Sequence, residues 1–112
     1  MRTVILFAIA FSVLTGIVYS QTAWEILNSG VTADLRAVCF TDINTGFVCG
    51  TNGTILKTTN AGLNWNPLNS SVSGTLNDIC FADVTTGYCC GNMGILKTTN
   101  SGQNWSSIST TP

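Results

Sequence analysis

Ile55-Leu56-Lys57-Thr58-Thr59-Asn60-Ala61-Gly62-Leu63-Asn64-Trp65 returns as Ile95-Leu96-Lys97-Thr98-Thr99-Asn100-Ser101-Gly102-Gln103-Asn104-Trp105. Two copies of one unit in a chain of 112 residues make this a repeat architecture. Each copy opens on a short apolar run, turns through Thr-Thr-Asn-x-Gly, and enters a strand carrying Trp. Asn60 and Asn100 are expected to bond their own backbone two residues on and so close a tight turn. Gly62 and Gly102 supply the positive φ that such a corner needs. Trp65 and Trp105 each bring a large apolar surface and one N–H to satisfy. The unit is therefore a β-hairpin with a polar corner and an inward Trp.

Outward from the corner, the repeat has the length of four short strands. Leu35 to Phe40 alternates as a strand, Thr41 to Gly46 turns, and Phe47 to Gly50 is the second strand. Thr51-Asn52-Gly53 is a hairpin turn of the Asn-Gly type. Thr54 to Thr58 is the third strand and Leu63 to Leu68 the fourth. Leu76 to Phe81, Gly87 to Gly91 and Ile95 to Thr98 repeat that order, with one residue lost at Asn92-Met93-Gly94. Trp24, Trp65 and Trp105 stand 41 and 40 residues apart. Trp24 to Gly30 thus resembles the last strand of a unit whose earlier part is missing.

The N-terminus has a different character. Met1-Arg2 precedes an apolar segment from Thr3 to Leu14, and small residues follow up to Ser20. One positive charge, an apolar core and a small residue at the end make a secretory signal peptide, cut between Ser20 and Gln21. The alternative, a retained anchor, is opposed by a run shorter than the ~20 residues a spanning helix wants. The expected organisation is a signal peptide at 1–20, a strand completing a preceding blade at 21–34, one repeat at 35–70 and a second at 71–112.

From Gln21 on, Arg36, Lys57 and Lys97 face Glu25, Asp34, Asp42, Asp78 and Asp83. Without a basic patch, nucleic acid is not an expected partner. Four strands per ~40 residues is the period of a propeller blade. The fold class is all-β: about two four-stranded antiparallel blades of a β-propeller, in an incomplete ring. Two units cannot close a ring of the usual 4–8 blades. The chain is expected to be part of a longer protein, to assemble from several copies, or to be an incomplete product.

Thr58-x-Asn60-x-Gly62-x-x-Trp65 and Thr98-x-Asn100-x-Gly102-x-x-Trp105 resemble the Asp-box of BNR repeats, with Thr for the usual Ser and Asn for Asp. The longer pattern from Leu35 to Thr59 is similar to the repeats of the photosystem II stability and assembly factor family. The resemblance implies a multi-bladed propeller. It implies that Thr58, Asn60, Gly62, Trp65, Thr98, Asn100, Gly102 and Trp105 are structural. It also implies a non-catalytic scaffold with a protein partner, and a glycan-binding or sialidase-related module is the alternative.

The residues themselves argue against catalysis. A sialidase needs three arginines for the substrate carboxylate and a Tyr nucleophile, and only Arg36 and Tyr88 follow Gln21. Tyr88 stands where Phe47 stands and reads as a core-side aromatic. Asp42 and Asp83 recur at one turn position, as turn-makers do. With no His and no CxxC spacing, neither metal nor cofactor is expected.

Cys39 and Cys49 recur as Cys80 and Cys90, while Cys89 has no counterpart. An exported chain permits disulfides within each pair. Strand alternation places Cys39 and Cys49 on opposite faces instead, which leaves them as small apolar core residues.

Cleavage after Ser20 leaves a mature chain beginning at Gln21. Intact mass or N-terminal sequencing of the exported protein should show that start, and a membrane-held product still beginning at Met1 would support the anchor.

Overall fold

The computed structural model describes residues 3–7, 11–14, 17–20 and 24–108, with side chains from Leu27 onward. Gln21, the expected mature N-terminus, lies outside the described residues. The strands are β1 (Thr3–Phe7), β2 (Phe11–Leu14), β3 (Ile17–Ser20) and β4 (Trp24–Asn28). There follow β5 (Leu35–Phe40), β6 (Gly46–Gly50), β7 (Ile55–Thr58) and β8 (Asn66–Leu68). The last four are β9 (Leu76–Phe81), β10 (Gly87–Gly91), β11 (Gly94–Thr98) and β12 (Ser106–Ile108). Among the described residues no helix is long and apolar enough to cross a membrane.

Two four-stranded sheets dominate, ordered β5-β6-β7-β8 and β9-β10-β11-β12. Every neighbouring pair in them is antiparallel, so each sheet is a simple meander. These are the two blades the repeat predicts. The fourth strands are shorter than the sequence suggests, because the corner residues take up Leu63 to Trp65 and Gln103 to Trp105 before pairing resumes. The lost residue lies between the second and third strands. Cys49 pairs with Ile55 around a turn that holds Asn52 at φ 60, ψ 31, whereas Gly91 pairs directly with Gly94.

β1 pairs with β4, from Thr3 opposite Asn28 to Phe7 opposite Trp24, and β2 pairs with β3. The segment after β4 copies the one between the blades. Asn28 Oδ1 accepts from Gly30 N–H, and Asn69 Oδ1 from Ser71 N–H, both at 2.9 Å. Ser29 Oγ accepts from Val31 N–H (3.4 Å) as Ser70 Oγ does from Val72 N–H (3.3 Å).

Strand register sorts each blade into two faces. In the first blade Val38, Val48 and Leu56 align across the sheet, and with Leu35 and Trp65 they make a front face. Ala37, Cys39, Phe47, Cys49, Ile55 and Leu68 make the back face. The second blade presents its own front face, with Leu76, Ile79, Phe81, Cys89, Leu96 and Trp105, to the back of the first. Phe47 stacks on Phe81 across this interface, with centroids 4.1 Å apart and planes 20° from parallel. Phe47, Cys49, Leu76 and Leu96 are at most 1% exposed there. Burying each large apolar side chain contributes about 1.5–3 kcal/mol.

Register corrects the parity argument on the cysteines. Cys39 is opposite Phe47 and Cys49 opposite Ala37, so the two share the back face, one diagonal apart. Cys80 opposite Tyr88 and Cys90 opposite Asp78 repeat this. A diagonal spans about 7–8 Å between Cα atoms, beyond the roughly 4.4–6.8 Å of a disulfide. All five cysteines are free thiols in the structure.

Blade edges also meet the backbone closely. A Cβ on Gly50 would stand 2.1 Å from Asp34 O, and one on Gly91 2.0 Å from Thr75 O. Those carbonyls accept the N–H groups of Thr51 and Asn92, which tie the strand leading into each blade to its second strand. Gly50→Ala and Gly91→Ala should each cost about 1–3 kcal/mol, as other overpacked sites do. Chemical denaturation of the variants measures it, and midpoints within error of the wild type would contradict the close approach.

Candidate functional site

Two kinds of constellation stand out: the polar corners at one end of each blade, and the back face of the second blade. The corners rest on one buried hydroxyl each. Thr58 Oγ1 donates to Asn60 Oδ1 (2.9 Å) and accepts from the N–H groups of Gly62 (2.9 Å) and Asn60 (3.3 Å). Asn60 Oδ1 also accepts from Asn64 N–H (2.9 Å), and Asn60 Nδ2 donates to Asn64 Oδ1 (2.9 Å). Thr98, Asn100, Gly102 and Asn104 repeat these contacts within 0.1 Å. The Asn side chain thus reaches four residues on, not two, because Thr takes the nearer donors. Both central residues adopt positive φ: 59° at Ala61 and 88° at Gly62, 58° at Ser101 and 84° at Gly102.

Each corner is pinned to the β5–β6 or β9–β10 turn of its own blade. Ala61 N–H donates to Asn44 O and Ser101 N–H to Thr85 O, both at 2.9 Å. Those turns are closed by carboxylates. Asp42 Oδ1 accepts from the N–H groups of Asn44 (2.8 Å) and Thr45 (2.7 Å). Asp83 Oδ1 accepts from those of Thr85 (2.9 Å) and Thr86 (2.7 Å). These backbone donors, Asn44 first for Asp42 and Thr86 first for Asp83, hold both carboxyls below the usual carboxylate range.

Trp65 and Trp105 lie behind the corners, 8% and 4% exposed. The expectation that each indole N–H finds an acceptor fails: neither Nε1 has a hydrogen-bond partner. Each indole instead meets a nearly perpendicular ring, Phe40 at 6.3 Å and Phe81 at 6.1 Å.

The back face of the second blade is open. It carries Asp78, Cys80, Tyr88, Cys90 and Ile95, which line a depression of about 250 Å³. Ile108 extends the face at 36% exposure. Tyr88 is half-buried there, because among the described residues no further sheet covers it as the second blade covers Phe47. Lys57 shows what such a face does when covered. Its ammonium sits 5.4 Å from the Phe47 centroid and donates to Ser101 O of the next blade at 3.2 Å. Lys97 stands in the same way 5.7 Å from the Tyr88 centroid. Sequence reading missed this bridge, although the shared position of Lys57 and Lys97 carried the signal.

Among the described residues no three His, Cys, Asp or Glu side chains gather as a metal site. Arg36 is exposed on β5, and no other arginine follows Gln21 to join it in a sialidase-like clamp.

The model of the family described as photosynthesis system II assembly factor YCF48 matches residues 17–112. The chain belongs to this family. No curated protein matches it. The solved structure of YCF48 bound to D1 peptide superposes with a TM-score of 0.71 at 30% identity, over 84% of this chain and 32% of that one. YCF48 from Cyanidioschyzon merolae superposes at 0.69 and 24% identity, over 80% of this chain and 31% of that one. The chain therefore spans about a third of the length of these YCF48 structures.

Thr58→Val and Thr98→Val keep the side-chain volume and remove the oxygen that organises each corner. Each should cost about 1–3 kcal/mol, the penalty of stranding buried polar partners. Thr59→Val, at an exposed neighbour, should stay within about 0.5 kcal/mol of wild type. Equal melting temperatures for Thr58→Val and Thr59→Val would contradict this assignment.

Proposed function

We propose that this chain is a non-catalytic, exported propeller module that binds protein. The observation that carries the reading is the open back face of the second blade. Its counterpart on the first blade is a protein-binding surface by construction, since it holds the whole front face of the second. Tyr88, Ile95 and Ile108 offer apolar area, and Lys97 is poised to donate to a carbonyl beyond it as Lys57 does. The occupant is a surface of the same type: an apolar sheet face with a Trp-bearing corner at its edge, from further repeats or from another copy. A peptide-bound relative, YCF48 with the D1 peptide, supports protein as the partner class. Export rests on the Met1–Ser20 segment.

Left alone, the chain should expose this face. It should bind a dye for apolar surface, and its sedimentation should show association that grows with concentration. Ile95→Asp and Ile108→Asp place carboxylates on the open face and should lower both signals several-fold without changing the circular dichroism spectrum. A wild-type monomer that binds no dye and sediments like Ile95→Asp would defeat the reading.

A further inference from the structure

The two blades are copies, yet the back of the first is covered and the back of the second is open. Phe47, Cys49 and Ile55 are buried under the second blade. Their repeat counterparts are not: Tyr88 and Ile95 are half-buried and Cys90 is exposed. The fronts show the converse. Ile79 is 3% exposed under the first blade, while its counterpart Val38 on β5 is 44% exposed. Phe81 is stacked on Phe47, while its counterpart Phe40 lies partly in solvent. One chain therefore carries both halves of a second interface of the kind it already contains. It cannot join them itself, because they are the two outer faces of the stacked pair.

We infer that a second copy of this chain docks there head to tail, with the front of its first blade on the back of the second blade. This rests on the reading of that face as a protein-binding surface, and it names the partner. The internal interface supplies the register. Tyr88 takes the place of Phe47 and stacks on Phe40 of the other copy, as Phe47 does on Phe81. Ile95 and Val38 take the places of Ile55 and Ile79. Lys97 takes the place of Lys57, so its ammonium donates to the Ala61 carbonyl of the other copy, the counterpart of Ser101 O. A front meets a back and never its own kind, so the contact is heterologous and adds copies in one direction.

Two features oppose this docking and keep it weaker than the internal contact. Asp78 stands on the open face where the first blade has Ala37, so a carboxylate has to be covered. Leu27 and Val31 also lie over part of the first blade's front, in the places that Leu68 and Val72 hold at the internal interface. Ile108 of the incoming copy matches Leu68 as well, so β4 moves aside for it. β4 is free to do so, because it belongs to neither four-stranded sheet and pairs with β1.

Sedimentation of the whole chain over a range of concentrations is the test. Val38→Asp blocks the front and Ile95→Asp the back. Each variant alone should stay monomeric. A 1:1 mixture should form a dimer that grows no further, since each keeps the half that the other lacks. In the otherwise wild-type chain, Asp78→Ala should strengthen association several-fold and Lys97→Met should weaken it several-fold. Circular dichroism checks each fold, and Phe40→Ser replaces Val38→Asp if that variant loses its spectrum. The inference is overturned if the front-blocked variant associates as the wild type does, or if the mixture stays monomeric. It is also overturned if the wild type binds the apolar dye yet remains a monomer, which would leave the face to a different protein. These results leave the protein-binding reading standing. A wild type that neither binds the dye nor associates defeats that reading as well.

Discussion

A four-stranded sheet of this size has two faces and can bury neither by itself. Everything in this chain depends on the solution to that constraint, the stacking of the front of one blade on the back of the other. Phe47 lies flat on Phe81 at the centre, and the aliphatic side chains of both sheets close around the pair. Because the two blades are copies, the interface also states a rule. Position by position, the back of any blade is shaped for the front of a blade like it.

The corners serve the same interface from its edge. A Thr hydroxyl and an Asn amide gather the N–H groups of a turn with two consecutive positive φ angles. The turn is then locked to the Asp-closed turn beside it. Held in this way, Gly102 packs at the periphery of Phe47 and Leu68. The neighbouring Ser101 carbonyl is placed to receive Lys57. The polar motif is therefore a positioning device for contacts between blades, with nothing in its geometry that asks for a substrate.

Function in this architecture lies in what the faces and rims hold. The open face of the second blade has the apolar residues and the lysine of an interface, without the opposing blade. Val38 and Phe40, 44% and 39% exposed, show the same incompleteness at the front of the first blade. There Leu27 and Val31 cover part of the face in the way Leu68 and Val72 serve the next interface.

The repeated Thr-Thr-Asn-x-Gly corner, the Trp spacing and the strand alternation determined the all-β class and the four strands of each unit. These are local signals, carried by turn chemistry and by period. The same signals marked Asp42 and Asp83 as turn-makers. Alternation counted along one strand could not place Cys39 relative to Cys49, because their faces depend on the register between strands. Nor could it show that Asn60 reaches Asn64, that the indole N–H groups go unpaired, or that Lys57 bridges to Ser101. Cys89 was visible only as an exception. The structure buries it with Leu76, Ile79 and Leu96 in the cluster that the two sheets share. Only the stacking of the two blades, a contact that no local pattern encodes, decides which face of each sheet is buried.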